Sequence, residues 1–250
     1  MPILFGLTFI ILIFMQFSKS RQKNAKQTSE EFWKREREAN LVPSKDLSSL
    51  DYLTIPYGSL PFYYWTPGAN GPERFTHTSP QTATDDSSGE LSVLPDAVQE
   101  STYTLSAEHI APLSEELAEA EHAICELSGK RILNLTGISN TELRLTYGTM
   151  NLDPLTAYDQ NFTVLIRSLQ KWGALLVSSG NYNDAVTVLS YAVGIGSDIA
   201  GTYTLLGRLY KSKGELQKIE ELKQSAEQLT TLMKPSIIRD LDQLLTSESV

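Results

Sequence analysis

Leu169-Gln170-Lys171-Trp172-Gly173-Ala174-Leu175-Leu176 returns 34 residues later as Tyr203-Thr204-Leu205-Leu206-Gly207-Arg208-Leu209-Tyr210. Leu169, Trp172, Gly173 and Leu176 are matched by Tyr203, Leu206, Gly207 and Tyr210, and each set falls on one stripe of a helix. Gly180 repeats as Gly214 and Ala192 as Ala226 at the same offset. A fixed period of this length marks helical units that stack to share a core, so the reading predicts an all-α fold.

The pattern extends outward on both sides. Pro154 opens a long stripe of Leu155, Tyr158, Phe162, Leu165, Leu169, Trp172 and Leu176 that stops at Gly180. Upstream, Leu113, Leu117, Ala120, Ile124 and Leu127 predict a helix ended by Gly129, and Ser139 or Asn140 caps a short helix over Glu142 to Tyr147. Downstream, Ile237, Ile238, Leu241, Leu244 and Leu245 behind Pro235 form a stripe suited to closing an open end of a stack.

The block Leu169-x2-Trp172-Gly173-x2-Leu176 followed by Ala185-x3-Leu189-x2-Ala192, with Ile166 as its first position, resembles a tetratricopeptide repeat. The next unit, from Tyr203, resembles it in its first helix. It departs in its second, where Ile219 and Lys223 stand in place of Ala and a large apolar residue, and its closing proline is displaced to Pro235. The resemblance covers about Ile166 to Met233 and implies a groove lined by the inner face of each first helix, taking a peptide. By register the groove residues are Arg167, Gln170, Ala174, Thr204, Arg208 and Lys211. Arg167, Arg208 and Lys211 give it positive character suited to an acidic peptide or a carboxylate.

At the other end, Pro2 to Phe17 is apolar except for Thr8 and Gln16. At ~1.5 Å per helical residue it is slightly short for a ~30 Å hydrocarbon core, and Lys19 can snorkel to complete a span. The bases Lys19, Arg21, Lys23 and Lys26 follow the apolar run rather than precede it, unlike a cleaved signal peptide, and they predict a single-pass anchor with the rest of the chain cytoplasmic. Thr28 and Glu31 suggest a capped helix carrying Phe32 and Trp33 away from the membrane. Trp33 then sits either at headgroup level or on a solvated helix. Asp51 to Phe62, interrupted by Pro56 and Pro61, reads as an extended strap packed on the helical domain.

Of the net charge of -9 over 250 residues, Thr66 to Ser128 carries 12 acids against the single base Arg74. A pI near 4.9 excludes a nucleic-acid partner, which needs a basic face. Thr66 to about Ser106 is rich in Pro, Gly, Ser, Thr and acid, predicting a disordered linker. The expected layout is an anchor at 1–18, a juxtamembrane helix and strap at 19–65, the acidic linker at 66–106 and the helical domain at 107–250. The segment Asp85 to Glu100 is itself an acidic ligand tethered near the groove, able to mask it.

Catalytic signals are weak. Cys125 is the single cysteine, so no intramolecular disulfide forms. His122 and Cys125, three apart, lack further metal ligands beyond His109. Gly194-Ile195-Gly196 lacks the third glycine of a phosphate loop and reads as a turn. No catalytic residue, metal or cofactor is assigned. The expectation is a membrane-held, non-catalytic interaction scaffold binding a protein or acidic peptide. The rival is a membrane-anchored hydrolase or other enzyme, betrayed by a pocket with convergent, strongly perturbed acids or histidines.

Beyond the repeat, Phe32-Trp33-Lys34-Arg35-Glu36, Asn40, and Asn140-Thr141-Glu142-Leu143-Arg144 with Tyr147-Gly148 are similar to segments of an uncharacterised bacterial family with an N-terminal anchor and a C-terminal helical domain. That resemblance implies no activity.

Overall fold

The computed structural model describes residues 28–68, 71–74 and 107–246. The expected anchor at 1–18 lies outside them. Among the described residues no helix is long and apolar enough to cross a membrane. The fold is mostly helical: α1 (28–40), α2 (Ala107–Cys125), α3 (Asn140–Tyr147), α4 (Leu152–Ser178), α5 (Tyr182–Gly194), α6 (Ala200–Ser212), α7 (Leu216–Glu227) and α8 (Lys234–Thr246).

The helices fall into two compact units that do not follow the linear partition. A small unit takes the chain up to Leu50 together with Ile138–Thr156, and a larger one takes Asp51–Gly137 and Ala157 onward.

In the small unit, Ser139 caps α3 in a complete capping box: its side chain accepts from Glu142 N–H, and the Glu142 carboxylate accepts from Ser139 N–H. The Glu36 carboxylate of α1 accepts from the Arg144 guanidinium and the Thr141 hydroxyl of α3, and Arg144 also donates to Asn40 Oδ1 at 3.0 Å. The Thr141 hydroxyl first, then Arg144, hold the Glu36 carboxyl below the usual carboxylate range. Gly148 has φ +88°, and a Cβ there would lie 2.6 Å from the Pro43 carbonyl oxygen, so only glycine lets the two backbones meet. Asn151 Nδ2 closes the unit by donating to the carbonyls of Lys45 and Tyr147, each at 2.7 Å. Glu36, Asn40, Thr141, Arg144 and Gly148 thus meet here in one small unit.

The large unit contains the repeat. Phe162, Leu165, Leu169, Trp172 and Leu176 of α4 are all essentially inaccessible, as are Ala185, Val188, Leu189 and Ala192 of α5, Tyr203 and Leu206 of α6, and Ile237 and Leu241 of α8. They form one apolar core. Three-residue turns join α4 to α5 and α6 to α7, and Gly180 and Gly214 take φ +82° and +71° in them. The second helix of the second unit resolves its sequence departure simply. Ile219, Leu222 and Ala226 face inward, while Lys223 points to Asp242 of α8 with 2.6 Å between the charged atoms. Helix α8 packs against both α6 and α7.

The two repeat glycines are required by packing. A Cβ on Gly173 would stand 2.5 Å from Leu189 Cδ2, and one on Gly207 would stand 2.8 Å from Leu244 Cδ1 and 3.1 Å from Leu241 Cδ2. Gly201, exposed in the first turn of α6, meets only the end of the Gln170 side chain at 3.3 Å. Gly173→Ala is therefore expected to lower stability by about 1–3 kcal/mol through overpacking. Gly201→Ala is expected to be neutral or to raise it by up to ~1 kcal/mol through helix propensity. Urea unfolding of the two variants checks the opposite signs.

One expectation is corrected. The composition of Thr66 onward reads as disordered linker, yet β1 (Trp65–Gly68) pairs antiparallel with β2 (Gly71–Arg74), with Trp65 opposite Arg74. The reason is Trp65, whose ring meets His122 of α2 edge-on at 4.5 Å and lies under the Arg74 guanidinium at 5.9 Å. An aromatic anchor orders a segment whose other residues are turn formers. The rest of the expected linker, 75–106, lies outside the described residues.

Candidate functional site

The strap holds the large unit together from the outside. Leu53 N–H donates to the Ile132 carbonyl at 2.9 Å, Ile55 and Leu60 are buried, and the Phe62 ring lies 4.8 Å from that of Trp172. The strap ends on Glu121 of α2, a fully buried acid whose carboxylate accepts from three consecutive backbone N–H groups, those of Tyr63, Tyr64 and Trp65. The Tyr63 hydroxyl donates to the Asp184 carboxylate of α5. Burial pushes the Glu121 carboxyl up to about 7, against the opposing pull of the three N–H bonds. Burial, and after it Glu121, pushes the Cys125 thiol up to about 12, and burial first of all raises Tyr57, whose hydroxyl donates to the Ile124 carbonyl.

Perturbed acids mark catalytic sites only when they reach a substrate. The cleft of about 540 Å³ beside Glu121 is lined by Tyr64, Trp65, Arg74, Ser114, Glu119 and His122, among others, and not by Glu121. The oxygens of Glu121 face backbone, so its shifted titration reports its burial under the strap. His122 and Cys125 do not converge: Cys125 is inaccessible, whereas His122 turns to Trp65 and to Glu126, 3.8 Å away. Among the described residues no three His, Cys, Asp or Glu side chains cluster as metal ligands. Gly194-Ile195-Gly196 is a turn with Gly196 at φ +85°, and the Ile195 carbonyl accepts from Asn134 Nδ2 at 3.4 Å. A carbonyl held in this way is not a phosphate cradle.

The six residues expected to line a groove lie on α4 and α6. Arg167 and Arg208 are exposed, and neither has a hydrogen-bonded or ionic partner among the described residues. Gln170 is half-buried beside Gly201, which places the start of α6 against the middle of α4. Ala174 is half-buried, and Thr204 Oγ1 donates back to the Ala200 carbonyl at 3.0 Å. Lys211 has a different position from the one its register suggests. Its Nζ donates to the Leu244 carbonyl at 2.8 Å, in the last turn of α8. The last carbonyls of a helix have no partner within it and the dipole there favours a cation, so the end of α8 engages the Lys211 ammonium. Arg167 and Arg208 each carry a guanidinium able to hold a carboxylate with two parallel hydrogen bonds.

Sequence reasoning missed Glu121, Tyr63 and Asp184. Glu121 carried a signal, since it lies four residues after Leu117 and three before Ile124, on the buried stripe of α2. Compared with protein-family models, with curated proteins and with solved structures, the chain matches none of them.

Proposed function

We propose that the chain is a non-catalytic interaction scaffold, a tetratricopeptide-like stack of helical hairpins held at the cytoplasmic face of a membrane by its N-terminal apolar segment. Helices α4 and α6 present their Arg167 and Arg208 face to an acidic segment of a protein partner. One observation carries the reading: Gly180 and Gly214, 34 residues apart, both take left-handed turns between paired helices, and Gly173 and Gly207 both lie in close helix contacts, the first with α5 and the second mainly with α8. Equivalent hairpins stack in register, and stacked first helices make a continuous face. The two arginines, unpaired among the described residues, give that face its charge preference, and the five acids between Asp85 and Glu100 supply a ligand within the same chain.

The test is fluorescence anisotropy with a labelled peptide copying residues 85–100, titrated into the full chain and into a chain lacking 76–104. The peptide is expected to bind, more tightly once the tethered copy is removed, and rising salt is expected to weaken it. Reversing both charges with Arg167→Glu and Arg208→Glu is expected to weaken binding about tenfold or more. Binding indifferent to the double reversal would place the ligand elsewhere, and equal affinity with and without 76–104 would end the self-masking idea.

A further inference from the structure

Large apolar side chains exposed to solvent are unevenly shared between the two units. Nine are exposed among the described residues, and five of them, Phe32, Trp33, Leu41, Ile138 and Met150, belong to the small unit, although it is the lesser of the two. Phe32 and Trp33 form an edge-to-face pair with centroids 5.4 Å apart, yet remain 52% and 58% exposed. More than half of each residue is left open to water, at a cost in hydration.

Leu41 and Met150 are 83% and 81% exposed, and their backbones are drawn near one another because Thr149 Oγ1 donates to the Ala39 carbonyl at 3.3 Å. Helix α1 carries Lys34, Arg35 and Arg37 together with Glu30, Glu31, Glu36 and Glu38, and Lys34 lies 3.9 Å from Glu38. Aromatic rings and aliphatic tips exposed on one small unit are the apolar part of an interfacial anchor, in which rings sit at headgroup depth.

The sequence ahead of this unit says what covers it. The apolar run ends at Phe17, ten residues before α1 begins at 28. A chain of ten residues, 18–27, spans about 33 Å at most. With the run in a bilayer, the small unit stays within reach of the lipid surface at high effective concentration, whereas a soluble partner has no such advantage. Lys19, Arg21, Lys23 and Lys26 on the tether add attraction to anionic headgroups.

We propose that the small unit docks on the phospholipid surface through Phe32 and Trp33, with Leu41 and Met150 completing the contact, so that the chain holds its membrane by two linked attachments and not by a span alone. The inference rests on the anchor reading above and goes beyond it, because a span on a free tether leaves Trp33 in water.

Trp33 is its own reporter. Of the other tryptophans, both in the large unit, Trp172 is buried beside Phe62 and Trp65 is partly buried with its ring edge-on to His122. The full chain is reconstituted into vesicles of phosphatidylcholine and phosphatidylglycerol, with or without bromine on the upper acyl carbons, and the Trp33→Phe variant is treated in parallel. Flotation of the vesicles reads the anchor, and quenching by bromine reads the docking. The expected result is flotation of both proteins, with bromine lowering the emission of the wild type and leaving that of Trp33→Phe unchanged. Flotation with no bromine quenching of Trp33 would overturn the docking while leaving the anchor standing, and it would do so equally if Trp33 were shielded from acrylamide by a second copy or another protein. Failure to float would overturn both.

Discussion

Glu121→Ala is expected to lower stability by roughly 3 kcal/mol or more, which for a chain of this size is a fall in melting temperature on the order of 6–12 °C. The substitution leaves the N–H groups of Tyr63, Tyr64 and Trp65 without their acceptor in a buried place, and each unpaired donor costs about 1–3 kcal/mol. It also opens a void where a fully inaccessible side chain stood. Glu121→Gln is the milder change, because an amide oxygen can replace Oε2, the atom that serves Tyr64 at 2.7 Å and Trp65 at 3.2 Å.

The same residue sets a pH dependence with a definite sign. The carboxyl titrates at about 7 when folded, against an ordinary value of 4.5. Between those values the folded chain holds a proton that the unfolded chain has released. Stability contributed by Glu121 is complete below pH ~4.5, falls as pH rises towards ~7 and is flat above, with a total change of at most roughly 3 kcal/mol. Urea midpoints of the wild type are expected to fall across that window, and those of Glu121→Gln to lose this slope. A wild-type midpoint rising from pH 5 to 7, with the glutamine variant following it, would contradict the assignment of the shift to burial.

Trp172→Ala carries the second large effect, a loss of about 3–5 kcal/mol measured by denaturant unfolding. Trp172 is inaccessible, occupies the centre of the α4 stripe and supports the Phe62 ring of the strap, so its loss damages the helical core and the strap together. Its buried indole N–H has no partner among the described residues. Trp172→Phe removes that orphaned donor while keeping most of the volume, and it is expected to cost less than about 1.5 kcal/mol. A phenylalanine variant as unstable as the alanine variant would show that the N–H has a partner in solution.

The parts of this fold that were legible from sequence obey short-range rules. Leu165, Leu169, Trp172 and Leu176 announce the inward face of α4 because helix geometry alone puts them on one side. Gly180, Gly214 and Ser139 announce ends and caps because left-handed turns and orphaned N–H groups accept few residue types. The strap was legible from its prolines and its apolar residues. What was not legible depends on contacts distant in sequence. The β-hairpin exists because Trp65 finds His122, 57 positions on, and nothing in the local composition of 66–74 reports that encounter. Glu36 and Arg144 join two segments into one unit across 108 positions. Lys211 reads as a groove cation in repeat register, and only the placement of α8 reveals the Leu244 carbonyl that holds it.

The most direct test of the scaffold reading places a photo-crosslinking amino acid at Arg208 of the full chain in living cells. A second set carries it at Glu220, exposed on α7 and away from the α4 and α6 face. The account predicts a discrete protein adduct from position 208 that disappears when Arg167→Glu is added, and none from position 220. Equal labelling from both positions, or an adduct at 208 unaffected by Arg167→Glu, would contradict it.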